Sequence, residues 1–211
     1  MPKERGDPRL DTGTKGFAHA MGNIGRRSAR PTVEALDLKG VKRMLDAGGG
    51  PGLYVIEFVL ACPELHAVLF ESAETLEIAS RNIEAAGVRD RISLMAGDLF
   101  VDPVGENYDL LFLSNLIHCY PADRCRELIG KLAHALAPGG RICIKDFILA
   151  PDRTGPQGAL LFAVNMLVSS DGGDAYTADE IIDWFQAAGL KPQQQIPLTE
   201  QSSLILAEKP L

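Results

Sequence analysis

The stretch richest in chemistry is LDAGGGPG, residues 45–52. Asp46 is followed by Gly48, Gly49, Gly50 and Gly52, where an apolar run of strand character stops and one of helical character starts. Glycine has no Cβ, so such a turn can be tight, adopt positive φ and let a ligand lie against the main chain. The turn delivers that ligand to a helix N-terminus, whose unpaired N–H groups and dipole favour a negative group such as a carboxylate or phosphate. Further acids stand at similar punctuation points: Glu71 after the run 66–70, Asp98 in Gly97-Asp98-Leu99-Phe100, and Asp146 just past the run 141–144. Ser114 and His118 follow the apolar run 108–113. A histidine held near an acid can move a proton. On the residues alone, the plainer alternatives stay open: a histidine that caps a strand end, a solvated carboxylate at Glu71, a turn aspartate at Asp98.

Spacing narrows the ligand. A dinucleotide turn, G-x-G-x-x-G counted from Gly48, would need a third glycine where Leu53 stands. Glu71 closes the second strand about 20 residues beyond the turn, where nucleoside-binding α/β folds place a carboxylate that accepts from both ribose hydroxyls. The four cysteines, Cys62, Cys119, Cys125 and Cys143, form no C-x-x-C pair and have no metal-like spacing, so they read as reduced thiols and no metal is expected.

The elements that must position these groups follow from periodicity. Residues 1–16 are polar, with three glycines and two prolines, and read as a loose arm; residues 17–211 form the domain. Phe17, Met21 and Ile24 recur at helical spacing toward Leu38, with Pro31 expected to break or restart that helix. Strands are expected at 41–45, 66–70, 91–96, 108–113 and 141–144, alternating with helices at 53–61, from about Leu76 to Gly87, and through Cys125, Leu128, Ile129, Leu132 and Leu136 to a stop at Pro138-Gly139-Gly140. A helix around 160–168 and one opened by the capping box Thr177-Ala178-Asp179-Glu180 and closed by Gly189 precede two strands, 191–196 and 203–207, that form a hairpin. The alternation implies an α/β, doubly wound, mostly parallel sheet with an antiparallel strand from that hairpin. Ligands of such sheets bind at the carboxyl ends of strands, so Asp46, Glu71, Asp98, Ser114, His118 and Asp146 fall in one crevice.

Composition sets outer bounds. Apolar residues make up 46% and charged ones 23%, as in an ordinary globular domain. A net charge of −7 argues against nucleic acid as the main partner, despite the basic patch Arg26-Arg27 and Arg30. No stretch approaches the roughly 20 apolar residues that span a bilayer, and the charged start lacks the apolar core of a signal peptide, so no membrane partner and a cytoplasmic location are expected.

The acid and glycine turn resemble motif I of the class I S-adenosylmethionine-dependent methyltransferases. Together with Phe17-Ala18-His19-Ala20-Met21, GDLF at 97–100, LSNLIHCYPADRC at 113–125, LAPGG at 136–140 and KDFIL at 145–149, they make residues from about 17 to the C-terminus similar to the catalytic domain of the family 2 small-molecule O-methyltransferases, of the plant caffeate and bacterial natural-product type. The resemblance implies a seven-stranded, Rossmann-like sheet and S-adenosylmethionine as cofactor, with S-adenosylhomocysteine as product. It places Asp46, Gly48, Gly49, Gly50 and Gly52 at the cofactor's amino-acid end, Glu71 at the ribose, Asp98 and Leu99 at the adenine, and Ser114 and Met21 beside them. It makes His118 the general base for the hydroxyl of a small aromatic acceptor, Asp146 the acid that orients it, and Phe17, Phe162 and Met166 the acceptor wall. The metal-dependent catechol enzymes carry a D-N pair after strand five, whereas Phe147 follows Asp146 here.

The chain also departs from the family. Cys119 stands where the family has an aspartate after the histidine, although Tyr120 keeps the aromatic that follows. Ala175, with Asp174 beside it, stands where a second orienting glutamate falls. The family's N-terminal helical domain, which dimerises and walls off the acceptor pocket, cannot be supplied by 16 polar residues. Three readings therefore stay open: an O-methyltransferase, an N- or C-methyltransferase, and a non-catalytic cofactor-binding domain, with a homodimer open as the assembly.

Overall fold

The computed structural model describes residues 28–211. The arm 1–16, Phe17, Met21, His19 and the Arg26-Arg27 pair lie outside the described residues. Helix α1 is described over 28–34 and runs through Pro31 instead of breaking there: the Ala35 N–H donates to the Pro31 carbonyl at 3.1 Å. Proline lacks a donor but not an acceptor, so the turn C-terminal to it can still close.

Strands β1 (Arg43–Ala47), β2 (His66–Glu71), β3 (Ile92–Ala96), β4 (Tyr108–Ser114) and β5 (Leu136–Leu149) pair in parallel in the order β3-β2-β1-β4-β5. The sheet continues through β8 (Ser202–Glu208), antiparallel to β5, to β7 (Lys191–Pro197) at the edge. This main path is the expected seven-stranded arrangement. An eighth strand, β6 (Tyr176–Thr177), pairs with Ile148 and Leu149 off the path. Two residues carry no readable period, and sequence reasoning missed it.

Successive residues of a strand face opposite sides, so each strand feeds two layers. Met44, Leu110, Phe112 and Cys143 pack with α1, α2 (Leu53–Ala61) and α3 (Ala73–Ala85) on one face. Leu45, Leu111, Leu113, Ile142 and Ile144 pack on the other with α4 (Ala122–Ala135) and α6 (Ala178–Ala187). Coverage on both faces is why β4 reads as a nearly unbroken apolar run. The Thr177–Glu180 capping box opens α6 as expected.

Pro138-Gly139-Gly140 is a bulge inside β5, not a helix stop. Leu136 already pairs with Tyr108, and the register shifts before Leu110 meets Arg141. The Gly139 N–H and the Gly140 carbonyl both bond Lys209, so Leu136 belongs to the strand and not to the α4 stripe. Helix α5 (Gln157–Ser169) starts three residues before the apolar run that announced it, and it leaves Leu161, Val164, Leu167 and Val168 exposed. No helix among the described residues is long and apolar enough to cross a membrane.

Candidate active site

Strand order reverses at β1, which has β2 on one side and β4 on the other. The crevice of a doubly wound sheet opens at such a point, beyond the strands' carboxyl ends. Here it is a cleft of about 730 Å³ lined by Gly48, Glu71, Asp98, Leu99, Leu116 and Tyr120 among others.

The glycine turn closes over Asp46. Gly48, Gly50 and Gly52 all have positive φ, and Gly52 caps α2 in the left-handed region without any side-chain cap. Gly49 is required for a different reason: a Cβ there would collide with the Asp46 carboxylate and Leu69. Asp46 is fully buried, and neither carboxylate oxygen has a hydrogen-bond partner. Burial, then the nearby Glu71 charge, raises its pKa to about 7; the Val55 N–H favours the charged form without reaching it as a well-formed hydrogen bond. A buried acid without a partner is costly and marks a place where a ligand donor is missing.

Glu71 stands at the end of β2 with Oε2 accepting from the Gly50 N–H at 3.1 Å and Oε1 from the Ser72 N–H at 2.7 Å. Asp98 is exposed at its turn, where Oδ1 accepts from the Phe100 N–H at 2.8 Å. It is thus a turn aspartate and a cleft residue at once. Leu99 is buried against the cleft floor. Lys131 on α4 holds this loop by donating to the Leu99 and Asp102 carbonyls at 2.7 and 2.6 Å. The Arg124 guanidinium lies 3.8 Å from the Phe100 ring centroid, and Phe100 meets Tyr120 edge-on.

His118 sits in a short 3₁₀ turn, Ile117–Cys119, just past β4. Its Nδ1 is 2.7 Å from Asp146 Oδ1, and both side chains are buried. Asp146 Oδ1 also accepts from the Phe147 N–H at 2.8 Å, while Oδ2 is buried without a partner. The turn is anchored from several sides: Cys125 Sγ donates to the Ile117 carbonyl, the Tyr176 hydroxyl to the Tyr120 carbonyl, and the Asp174 N–H to the His118 carbonyl. Burial pushes the His118 pKa down, but the Asp146 charge and hydrogen bond, with a smaller contribution from Cys119, reverse this and raise it to about 10. A carboxylate this close to a buried imidazole favours the protonated ring over the neutral one.

Asp174 does not act as a second acid on His118. Its carboxylate turns to Arg153 at 3.0 Å and to the Ala175 N–H at 2.7 Å, and Arg153 also grips Glu180. On the other side Phe162 of α5 meets His118 edge-on at 4.7 Å and stacks on Phe147 at 4.0 Å. Met166 lies one helical turn farther along α5, partly exposed. Ser114 ends β4, and its Oγ accepts from Asn115 Nδ2 at 3.0 Å. The sequence-predicted residues within 28–211 are thus gathered at one end of the sheet. Reasoning from sequence missed Lys145, Asn115, Phe147 and Arg124; a lone cation between Ile144 and Asp146 was the available signal for the first.

Known proteins resemble this arrangement closely. The profile of the O-methyltransferase domain matches residues 8–191. A 3-hydroxy-5-methyl-1-naphthoate 3-O-methyltransferase of Streptomyces sahachiroi is 34% identical over 162 residues, 77% of this chain and 47% of that protein. Acetylserotonin O-methyltransferase of Gallus gallus is 30% identical over 178 residues, 84% of this chain and 51% of that one. Thus the chain spans about half the length of these curated relatives. Among solved structures, an O-methyltransferase family 2 protein of Planctomyces limnophilus in complex with apigenin superposes with a TM-score of 0.88 at 31% identity, covering 94% of this chain and 61% of that one. Human N-acetylserotonin methyltransferase in complex with SAM gives 0.84 at 28% identity, covering 92% and 55%. With most of its length matched by that profile and its sheet order, crevice and aromatic-flanked histidine in place, the chain belongs to the O-methyltransferase domain family.

Proposed function

We infer that this chain transfers a methyl group from S-adenosylmethionine to the hydroxyl of a small aromatic molecule. The observation that carries the reading is the buried His118–Asp146 pair, with Phe162 edge-on to the imidazole, directly beside Cys119 and Tyr120 of the cleft that Gly48, Glu71 and Asp98 also line.

The residues fit the cofactor. Asp46 sets a buried carboxylate without hydrogen-bond partners beneath the glycine turn, which favours an ammonium there; Glu71 could exchange its Gly50 contact for ribose hydroxyls and so free the Gly50 N–H as a main-chain donor, and Asp98 Oδ2 would be left for the adenine amino group. When bound, S-adenosylmethionine supplies an electrophilic methyl on a positively charged sulfur. The protein's own task is then proximity, alignment and one proton. Asp146 holds Nδ1 of His118, which leaves Nε2 as the atom presented to the acceptor. In the neutral form Nε2 takes the hydroxyl proton as the oxygen attacks, and Asp146 stabilises the imidazolium that results. A cationic sulfur held near His118 would lower its pKa and so favour the neutral imidazole that can accept a proton. Phe147 and Phe162 present ring faces and edges suited to an aromatic acceptor, in line with the naphthoate and acetylserotonin named for the relatives.

The test is His118→Gln assayed against a panel of phenols and hydroxynaphthoates by S-adenosylhomocysteine release, beside calorimetry with S-adenosylhomocysteine. Turnover should fall by about 10²–10⁴-fold with cofactor affinity within a few-fold of wild type. Undiminished turnover refutes His118 as the base, and absence of any binding refutes the cofactor.

A further inference from the structure

Lys145 has no role in the chemistry above, yet among the described lysines and arginines it alone is buried, at 5% exposure. Its ammonium donates to Asn115 Oδ1 at 3.0 Å and lies 6.0 Å from the Tyr54 ring centroid. No carboxylate among the described residues forms an ion pair with it. An ammonium has three donors, and burying one without a counter-charge is unfavourable.

Its surroundings are built. Asn115 is held at φ 53 with its N–H donating to the Lys145 carbonyl at 2.8 Å, while its Nδ2 donates to Ser114 Oγ. Lys145 pairs directly with Ser114 across β4 and β5. By strand alternation Lys145 shares the Cys143 face, Ser114 the Phe112 face and Asp46 the Met44 face, and these are the same side of the sheet. The Tyr54 ring, from the first turn of α2, packs between the ammonium and α2 on this same face. The first turn of α2 carries no acidic residue and no side-chain cap, and its Val55 N–H favours the charged form of Asp46. One side of the rim therefore holds a buried carboxylate without a well-formed hydrogen-bond donor and a buried ammonium without an acid.

We propose that Lys145, positioned by Asn115, is the counter-ion for the carboxylate of the cofactor's amino-acid end and makes the site discriminate against nucleosides that lack it. This rests on the cofactor reading above: the Asp46 carboxylate beneath the glycine turn favours the ammonium of the zwitterion, and Lys145 takes the carboxylate.

Calorimetry with three probes tests it: S-adenosylhomocysteine, its decarboxylated analogue and 5′-methylthioadenosine, on wild type, Lys145→Gln and Lys145→Arg. Glutamine can still donate to Asn115, so the neutral variant keeps the local hydrogen bond, and its melting temperature is recorded alongside. Wild type should prefer S-adenosylhomocysteine over the decarboxylated analogue by at least about tenfold, the worth of a charge-assisted hydrogen bond. Lys145→Gln should lose about 10- to 100-fold for S-adenosylhomocysteine while its affinities for the other two probes hold; Lys145→Arg should restore most of the preference. Equal weakening of all three probes, or no weakening of any, overturns the proposal. A wild type that binds 5′-methylthioadenosine but shows no preference for the carboxylate overturns it alone, whatever the variants do. A wild type that binds none of the three overturns the cofactor reading and this inference together.

Discussion

Asp146→Asn separates the charge of the His118 partner from its shape, and its effect on stability should depend on pH in one direction only. The amide oxygen can still accept from the Phe147 N–H and from Nδ1–H of a neutral imidazole, but it offers no charge to an imidazolium. His118 has its pKa raised from 6.5 to about 10 in the folded protein. At about 1.36 kcal/mol per tenfold change, a raise of that size corresponds to a ceiling of roughly 5 kcal/mol of stability. Loss of one partner of a buried pair costs about 3–5 kcal/mol, and the retained neutral hydrogen bond returns about 1 kcal/mol, so a loss of roughly 3 kcal/mol is expected. A folded-state pKa above the unfolded one means that the folded chain binds more protons between the two values, so this stabilisation is complete below about pH 6.5 and disappears as pH rises through about 10. Urea unfolding of wild type and variant, followed by the fluorescence of the single tryptophan, Trp184, which is buried on α6, measures the gap at several pH values from 6.5 to 10. The gap should be widest at the acid end and close toward pH 10. A gap that stays flat, or widens with pH, refutes the imidazolium–carboxylate assignment.

Other expectations follow from the same geometry. Gly49→Ala should cost about 2–3 kcal/mol, as overpacking against Asp46 and Leu69 does, whereas Gly50→Ala, with open space at its Cβ but a φ of +55, should cost about 1 kcal/mol; denaturant midpoints rank them. Asp46→Asn should make the ligand-free protein more stable at pH 8 by about 1–3 kcal/mol while weakening S-adenosylhomocysteine binding. Because the Asp46 pKa is raised from 3.8 to about 7, that advantage should grow as pH climbs from about 4 to 7 and level off beyond, which paired thermal melts would show. For turnover, kcat/KM should rise by about tenfold per pH unit on its acid limb, because protonated His118 cannot accept the acceptor's proton; a profile flat from pH 6 to 9 would exclude His118 as the titrating base.

Much of this architecture was legible because long periodic segments leave little choice. The alternating pattern from Met44 through Ile144 admits a parallel doubly wound sheet, and once strand ends are placed, Asp46, Glu71, Ser114 and Asp146 must share a rim. What escaped was set by tertiary context over short distances. Pro138-Gly139-Gly140 has the composition of a helix stop, but Tyr108 and Lys209 recruit it as a bulge in β5. Asp174 has the right chemistry for a second acid on His118 and loses it to Arg153, a residue whose positive φ and two carboxylate partners no local pattern announces. Lys145 directly follows the apolar run 141–144, where solvent is the ordinary surrounding of a charge; only the chain folded around it shows that solvent has been removed.

The placement of the two buried carboxylates, Asp46 and Asp146, explains why the chemistry sits across the rim and not on one side of it. Strand alternation puts Asp46 on the face covered by α1, α2 and α3, with Ser114 and Lys145, and puts Asp146 on the opposite face with Ile144 and Ile148, beneath α4 and α6. A ligand gripped by its charged end on the first face must extend over the ends of β1 and β4 before it can meet a base supported from the second. The reacting atoms then lie between two layers packed independently, and a substitution on one face can weaken cofactor binding without moving His118. That separation requires Lys145→Gln to cost the same affinity, and Asp146→Asn the same stability, in the double variant as each does alone; a departure in either would mean that the rim moves as one body.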